Sequence, residues 1–291
     1  MGNHYFKPYK KAFVKFSFKL FCFSKVTFRF YPKESYGSNR NCIETKHVIK
    51  VGKSQNMKLS IIIPAFNEEK RIRHTLDCLV KPFNGSCEIL VVSESTDKTD
   101  DIVTEFSQNS PNVTLVASTK RLGKGGAFKK GFANSHGEIV MLLDSDLPVP
   151  VSDVERLISY VDKVDVAIAS REVHGTKILV ARPPTRGFAS KAFSLVFNVL
   201  FDLKVKDTQC GCKAFRREVL QNVLYTVESN GFEFDAELLL KCKKKGYHIE
   251  EVPVTWSYKS DSKLDLSTDM LKMANGVLIL WVKTHLAPEE Y

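Results

Sequence analysis

From residue 59 onward, short apolar runs alternate with amphipathic ones along the chain. Residues 59–63 read as a buried strand ended by Pro64, and Asn67-Glu68-Glu69 opens a helix through Val80. Residues 88–92 give a second strand, followed by a polar turn over 93–97 and a helix near Phe106. The third strand, 113–117, leads through a glycine-rich loop at 121–126 into a helix from about Ala127 to Ser135. Residues 139–143 are five apolar residues in a row, the pattern of a strand buried on both faces of a parallel sheet. A helix over 154–161 and a strand over 164–169 follow. This alternation predicts an α/β fold, a doubly wound and mostly parallel sheet with helices on both faces.

Downstream the pattern is less regular. Phe188, Ala192, Leu195, Val196, Val199 and Leu200 recur at helical spacing, so 187–201 is an amphipathic helix, packed on the sheet or dipping into a bilayer surface. Glu233-Phe234-Asp235-Ala236-Glu237 begins another helix, with Glu233 and Glu237 on one face and Asp235 pointing elsewhere. Acids at a helix start also simply suit its dipole. Residues 248–254 read as a final strand. Met270, Leu271, Met273, Ala274, Val277, Leu278 and Trp281 form the stripe of a C-terminal helix, for core or subunit packing first and membrane contact second.

The N-terminus differs in kind. Residues 11–30 alternate aromatic or aliphatic with Lys, Ser and Arg at nearly period two, unlike a signal peptide or a regular helix. Three readings stay open: a segment lying on an anionic membrane surface, a poorly ordered extension, or sequence upstream of a natural start at Met57. Residues 1–56 hold twelve Lys and Arg against two acids, and they account for the whole formal charge of +10. The rest of the chain is neutral, so a nucleic-acid partner is not expected. Seven scattered cysteines, with Cys210 and Cys212 too close for an easy disulfide, read as reduced thiols. No apolar run is long enough to span a bilayer, which predicts a soluble or peripheral protein.

Candidate chemistry centres on Asp144-Ser145-Asp146 at the end of the fourth strand. Alternate residues of an extended segment point the same way, so the two carboxylates converge beyond the strand's carboxyl end, where open α/β sheets bind ligands. Two hard oxygen ligands, with room for diphosphate oxygens and water, suit Mg²⁺ or Mn²⁺. A plain polar turn is the competing reading. The loop Arg121-Leu122-Gly123-Lys124-Gly125-Gly126 sits where backbone amides favour phosphate, yet it is not a P-loop, because Ala127 and Phe128 follow. By itself Lys124 reads as a surface lysine.

Taken in order, Pro64-Ala65-Phe66-Asn67-Glu68, the Ser-Thr-Asp turn ending at Asp97, Gly123-Lys124-Gly125-Gly126 and Asp144-Ser145-Asp146 resemble the inverting glycosyltransferases of family 2, which have the GT-A fold. Arg171, the segment Arg186-Gly187-Phe188-Ala189-Ser190 and the run from Asp207 to Arg216 look like the dolichyl-phosphate sugar synthase branch, over roughly residues 59–253. The resemblance implies a nucleoside pocket at Pro64, Asn67, Glu68 and Asp97. It implies a metal at Asp144 and Asp146, Lys124 near the donor diphosphate, and the acceptor phosphate at Arg171, Arg186 and Ser190. The helix carrying Glu233, Asp235 and Glu237 would lie near the donor sugar. Two departures stand out. The aspartate expected to face the base is missing, with Ser93 or Glu94 as substitutes, and Pro148 stands where some relatives have a third metal ligand.

The expected protein is a metal-dependent enzyme moving a hexose, glucose before mannose, from UDP-glucose or GDP-mannose to dolichyl or another polyprenyl phosphate. It would work peripherally at the cytosolic face of a membrane. Its parts would be a basic extension over 1–56, a GT-A domain over 57–260 (donor half to about 150, acceptor half beyond) and a C-terminal amphipathic helix over 261–291. The alternatives are a family relative with another lipid or cell-wall acceptor, and a catalytically silent nucleotide-sugar-binding subunit.

Overall fold

Strands Leu59–Ala65 (β1), Cys87–Ser93 (β2), Val113–Ala117 (β3) and Ile139–Leu143 (β4) pair in parallel in the spatial order β3-β2-β1-β4. The computed structural model describes residues 59–83, 87–231, 233–259 and 266–286; the readings made for residues 1–56 and for Met57 lie outside them. Along β1 the side chains alternate between two cores: Ile61 and Ile63 enter one, Ile62 the other. A strand buried on both faces must be apolar throughout, which is why these runs are continuous. Pro64 does not end β1, which continues to Ala65. The pairing with β4 stops at Ile62, so an imino acid at Pro64 removes no ladder bond on that side.

Helices Ile72–Val80 (α1), Thr99–Asn109 (α2) and Val151–Tyr160 (α4) cover the first face, with Ile72, Leu76, Val103, Val154 and Leu157 in its core. Gly123–Ala133 (α3) covers the other through Phe128 and Phe132. Two helix starts depart from expectation. Asn67-Glu68-Glu69 precedes α1 as a turn, with Asn67 at φ 56°, and α3 begins at Gly123 rather than near Ala127. The glycines of α3 weaken helix propensity, but the segment around 229–234 packs directly on them: a β-carbon at Gly125 would stand 2.5 Å from the Phe234 ring.

Val166–Ser170 (β5), Cys212–Arg216 (β7) and Ile249–Pro253 (β8) complete a seven-stranded sheet of order β3-β2-β1-β4-β7-β5-β8. β7 runs antiparallel to β4 and β5, an insertion the chain's alternation did not announce. Lys177–Val180 (β6) pairs with Thr255–Ser257 (β9) in a small second sheet, so the terminal strand read at 248–254 is followed by a further one that leaves the main sheet.

Pro184–Phe201 (α5), Arg217–Val223 (α6), Phe234–Lys244 (α7) and Leu266–Leu286 (α8) lie on the α3 side. There Phe197, Leu220, Leu239, Val277 and Leu280 share one core. The apolar stripe of α5 is not its packed face. Phe188, Leu195 and Val199 are 76, 65 and 76% exposed, while Ser194 and Phe197 point inward. Among the described residues no helix is long and apolar enough to cross a membrane.

Candidate active site

β4 lies mid-sheet and delivers Asp144 at its carboxyl end. The chain does not continue extended: Leu147 N donates to Asp144 O at 3.2 Å and Leu147 takes φ 43°, so a turn carries the two aspartates. Thr75 of α1 holds that turn by donating to the Ser145 carbonyl at 2.7 Å. Burial, and next the charge of Asp144, raise the Asp146 carboxyl to about 6, against the pull of Arg71. A buried carboxyl held back from ionising beside a second carboxylate is a site where a cation would be favoured. Among the described residues no group of three or more His, Cys, Asp or Glu is placed to hold a metal ion. Asp144 and Asp146 would offer two hard carboxylate ligands, a set that fits Mg²⁺ or Mn²⁺ completing its shell with phosphate and water.

Asp144 anchors a chain of charges that runs inward. Lys124 Nζ lies 3.0 Å from Asp144 Oδ1 and 2.9 Å from Asp235 Oδ2. Lys213 Nζ lies 2.6 Å from Asp235 Oδ1 and donates to the Cys210 carbonyl at 2.5 Å. Lys213 is 0% exposed. It pairs across β4 with Leu142 and so emerges on the α3 and α7 side of the sheet. Burial pulls the Lys124 ammonium down, but Asp144 and Asp235 outweigh it and hold its pKa above the ordinary lysine range. Burial would raise Asp235; Lys124 and Lys213 win and hold it below the usual carboxylate range. Gly211 closes the group. Its carbonyl accepts from Asp144 N at 2.9 Å, and a β-carbon there would coincide with the Asp144 carboxylate.

The three acids of α7 thus separate. Asp235, expected to point elsewhere, is the one that reaches the Asp144 group. Glu237 is buried and accepts from Glu228 N and Ser229 N at 3.0 and 2.9 Å, which ties its carboxylate to the loop before α7. Glu233, at the start of α7, lies against Gly231 and Gly276.

The segments at Asn67–Glu69 and Ser95–Thr99 lock each other. Asn67 N donates to Ser95 Oγ at 2.8 Å, Thr96 N to Asn67 Oδ1 at 2.7 Å, Glu68 N to Thr99 Oγ1 at 2.7 Å and Glu69 N to Asp97 Oδ2 at 3.2 Å. Glu68 takes a bidentate pair from Arg71 at 2.7 and 2.8 Å. Pro64 lies in β1 just before this lock. The substitutes proposed for the missing base-facing aspartate have other partners. Ser93 bonds to Ser95 and Asp100, and Glu94 takes Arg121 and the amides of Leu122 and Gly123 at the start of α3. Those amides are accordingly taken up within the chain, and Gly125 N by Asn230 O at 3.1 Å, so of the groups expected to meet phosphate here the Lys124 side chain is the candidate.

On the acceptor side, Arg171 is bound to Asp207 three times: through its amide at 2.9 Å, Nε at 2.6 Å and Nη2 at 2.7 Å. Burial opposes both charges, yet each raises or lowers the other's pKa toward the ionised form. Arg186 lies 5.8 Å from the Tyr258 ring centroid, and Ser190 stands one turn further along α5. The structure brings Lys213, Arg182 and Lys191 into these surroundings, none of which the sequence singled out. Buried Gln209 Nε2 in the same stretch has no hydrogen-bond partner.

Comparison with known proteins follows this geometry. Residues 60–224 match Glycosyl transferase family 2. A Trichomonas vaginalis protein named dolichyl-phosphate beta-glucosyltransferase ALG5C is 31% identical over 230 residues, 74% of this chain and 68% of that protein. The dolichyl-phosphate beta-glucosyltransferase of Saccharomyces cerevisiae is 29% identical over 245 residues, 76% of this chain and 73% of its own length. Glycosyltransferase AglD of Haloferax volcanii is 29% identical over 80% of this chain, which spans 38% of AglD. In fold, the chain is similar to Mycobacterium tuberculosis glucosyl-3-phosphoglycerate synthase, crystallised with Mn²⁺ and UDP-glucose. The TM-score is 0.56 at 20% identity, over 77% of this chain and 79% of that one. A GT-A sheet carrying paired aspartates after its central strand, and a match over more than half its length, mean that the chain belongs to glycosyl transferase family 2.

Proposed function

We propose that the protein transfers glucose from UDP-glucose to dolichyl or another polyprenyl phosphate, with inversion, using Mg²⁺ or Mn²⁺. The relatives named for that reaction support the sugar and the acceptor. The observation that carries the reading is the state of Asp235. A general base needs a free lone pair facing the acceptor, whereas Asp235 is bound by Lys124 at 2.9 Å and Lys213 at 2.6 Å, which also lower its pKa. A hydroxyl acceptor would need such a base. A phosphate monoester, with a second pKa near 6, is already largely dianionic at neutral pH and attacks the anomeric carbon unaided.

Asp144 and Asp146 would hold the divalent ion, which when bound neutralises the departing diphosphate. Lys124, tethered by Asp235, presents its ammonium to the same diphosphate when Asp144 is taken up elsewhere. Arg171, Arg186 and Ser190 would receive the acceptor phosphate, and the outward apolar face of α5 would meet the cytosolic surface of the membrane that holds the lipid.

Purified protein with Mn²⁺, dolichyl phosphate and radiolabelled UDP-glucose or GDP-mannose tests this. Label is expected in the organic phase from UDP-glucose. Label from GDP-mannose alone would overturn the sugar, and label from neither would overturn the reaction.

A further inference from the structure

A cavity of about 340 Å³ lies between the end of β5, the β6–β9 sheet and the first half of α5. Arg171, Arg182, Lys191 and Glu172 form its polar wall, and Ile178 and Phe188 belong to its apolar one. We propose that Glu172 is a built-in anion standing in this cavity for a phosphate, and that Arg182 and Lys191 exchange it for the phosphate head of a prenyl-type lipid. The proposal rests on the acceptor side of the reading above and adds Arg182 and Lys191 to the residues named there, of which Arg171 lines this cavity.

The charges support the exchange. Arg171 is already matched by Asp207. Arg182 Nη2 lies 2.8 Å from one Glu172 oxygen and Lys191 Nζ 3.2 Å from the other, so two cations share one carboxylate. One positive charge is in surplus, and a dianionic phosphate would balance both cations where Glu172 balances one. An arginine fork beside a lysine point charge suits phosphate oxygens. Arg171 fixes the backbone next to Glu172 through its bonds to Asp207, while the Glu172 side chain retains partial exposure.

The surroundings indicate a ligand with a tail. Ile178 and Phe188 are exposed at the cavity, and Leu179 and Val180 continue the apolar surface along β6. Exposed apolar residues beside an anion pocket fit an amphiphile better than free phosphate. Trp256 also lines the cavity and offers a local reporter.

The test uses the full chain carrying Trp281→Phe, which leaves Trp256 as its single tryptophan. Its emission is followed on titration with citronellyl phosphate, inorganic phosphate and citronellol. Citronellyl phosphate should bind saturably, at least tenfold tighter than either fragment. Arg182→Gln and Lys191→Gln should each weaken it about tenfold, the scale of losing a hydrogen bond between charged groups. Glu172→Gln should instead tighten it, an effect that damage to packing does not produce. Weakening by Glu172→Gln, or parental affinity in both cation variants, would overturn the exchange. Equal binding of inorganic phosphate would overturn the lipid ligand. Lys191 lies on the exposed side of α5, so its variant keeps the test decisive if another fails to fold. Should binding behave as expected while no nucleotide-sugar gives transfer, the transfer reading falls and this site stands.

Discussion

Lys213→Met is the perturbation whose size the structure fixes best. Methionine keeps an unbranched stem out to the ε position but removes an ammonium that is 0% exposed and donates to Asp235 Oδ1 and Cys210 O. Breaking a buried ion pair from one side costs about 3–5 kcal/mol, because the partner charge stays in the interior. Here Asp235 keeps Lys124 at 2.9 Å, which places the expectation near the lower end, about 3 kcal/mol. For a chain of this size that corresponds to a fall in Tm of roughly 6–12 °C. Thermal and urea unfolding of the single variant, of Asp235→Asn and of the double variant would measure it. The double should cost less than the sum of the singles, with a coupling of about 2 kcal/mol. A loss under about 1 kcal/mol in Lys213→Met, or strict additivity, would show that the buried pair between β7 and α7 does not carry this stability.

Gly211→Ala should abolish Mn²⁺ binding by forcing the Asp144 carboxylate aside, while costing about 1–3 kcal/mol of stability from overpacking. Isothermal titration with Mn²⁺ and a melting curve separate the two effects, and a variant that binds the ion normally would contradict the placement. Metal affinity should also fall in acid. The Asp146 carboxyl is raised to about 6, so its proton must leave before it can act as a ligand, and at pH 5 binding should be about tenfold weaker than its plateau near neutrality. Free Mn²⁺ measured by electron paramagnetic resonance at pH 5 and 7 checks this. The effect should vanish in Asp146→Asn, and a flat profile in the parent chain would refute it.

What the sequence disclosed is what depends on near neighbours. Strands β1, β2 and β4 announce themselves because both faces are buried and the apolar runs are unbroken. Asp144 and Asp146 announce themselves because carboxylates end such a run. β7 was hidden by Lys213, a charge inside a strand that becomes tolerable only through Asp235, 22 residues later. The partners of Glu94 were hidden for the same reason, since those at the start of α3 are 27 to 29 residues away. The start of α3 at Gly123 could not be read from propensity, because the glycines answer to Asn230 and Phe234 rather than to the helix. The direction of the α5 stripe was undetermined as well, since periodicity shows that a helix has an apolar face but not what that face meets.

The ion pairs of the site fall into two kinds, and burial separates them. Arg171–Asp207 and Lys213–Asp235 are enclosed, with carboxylates 1 and 3% exposed, and charges so placed are costly to part. Lys124–Asp144 and the Glu172 pairs reach solvent and sit where ligands would arrive. The first kind supplies fixed points and the second supplies charges that exchange. Both fixed points involve one short stretch: Asp207 at its start binds Arg171 on the acceptor side, and Lys213 at its end binds Asp235 beneath Lys124. Between them Gly211 packs on Asp144. Residues 207–213 therefore tie Arg171 to the Asp144 group, with each end clamped by a buried pair. A transfer that brings a phosphate oxygen to an anomeric carbon in one defined direction needs such a fixed separation, while the Glu172 pairs leave the unliganded site one positive charge in surplus for an incoming anion.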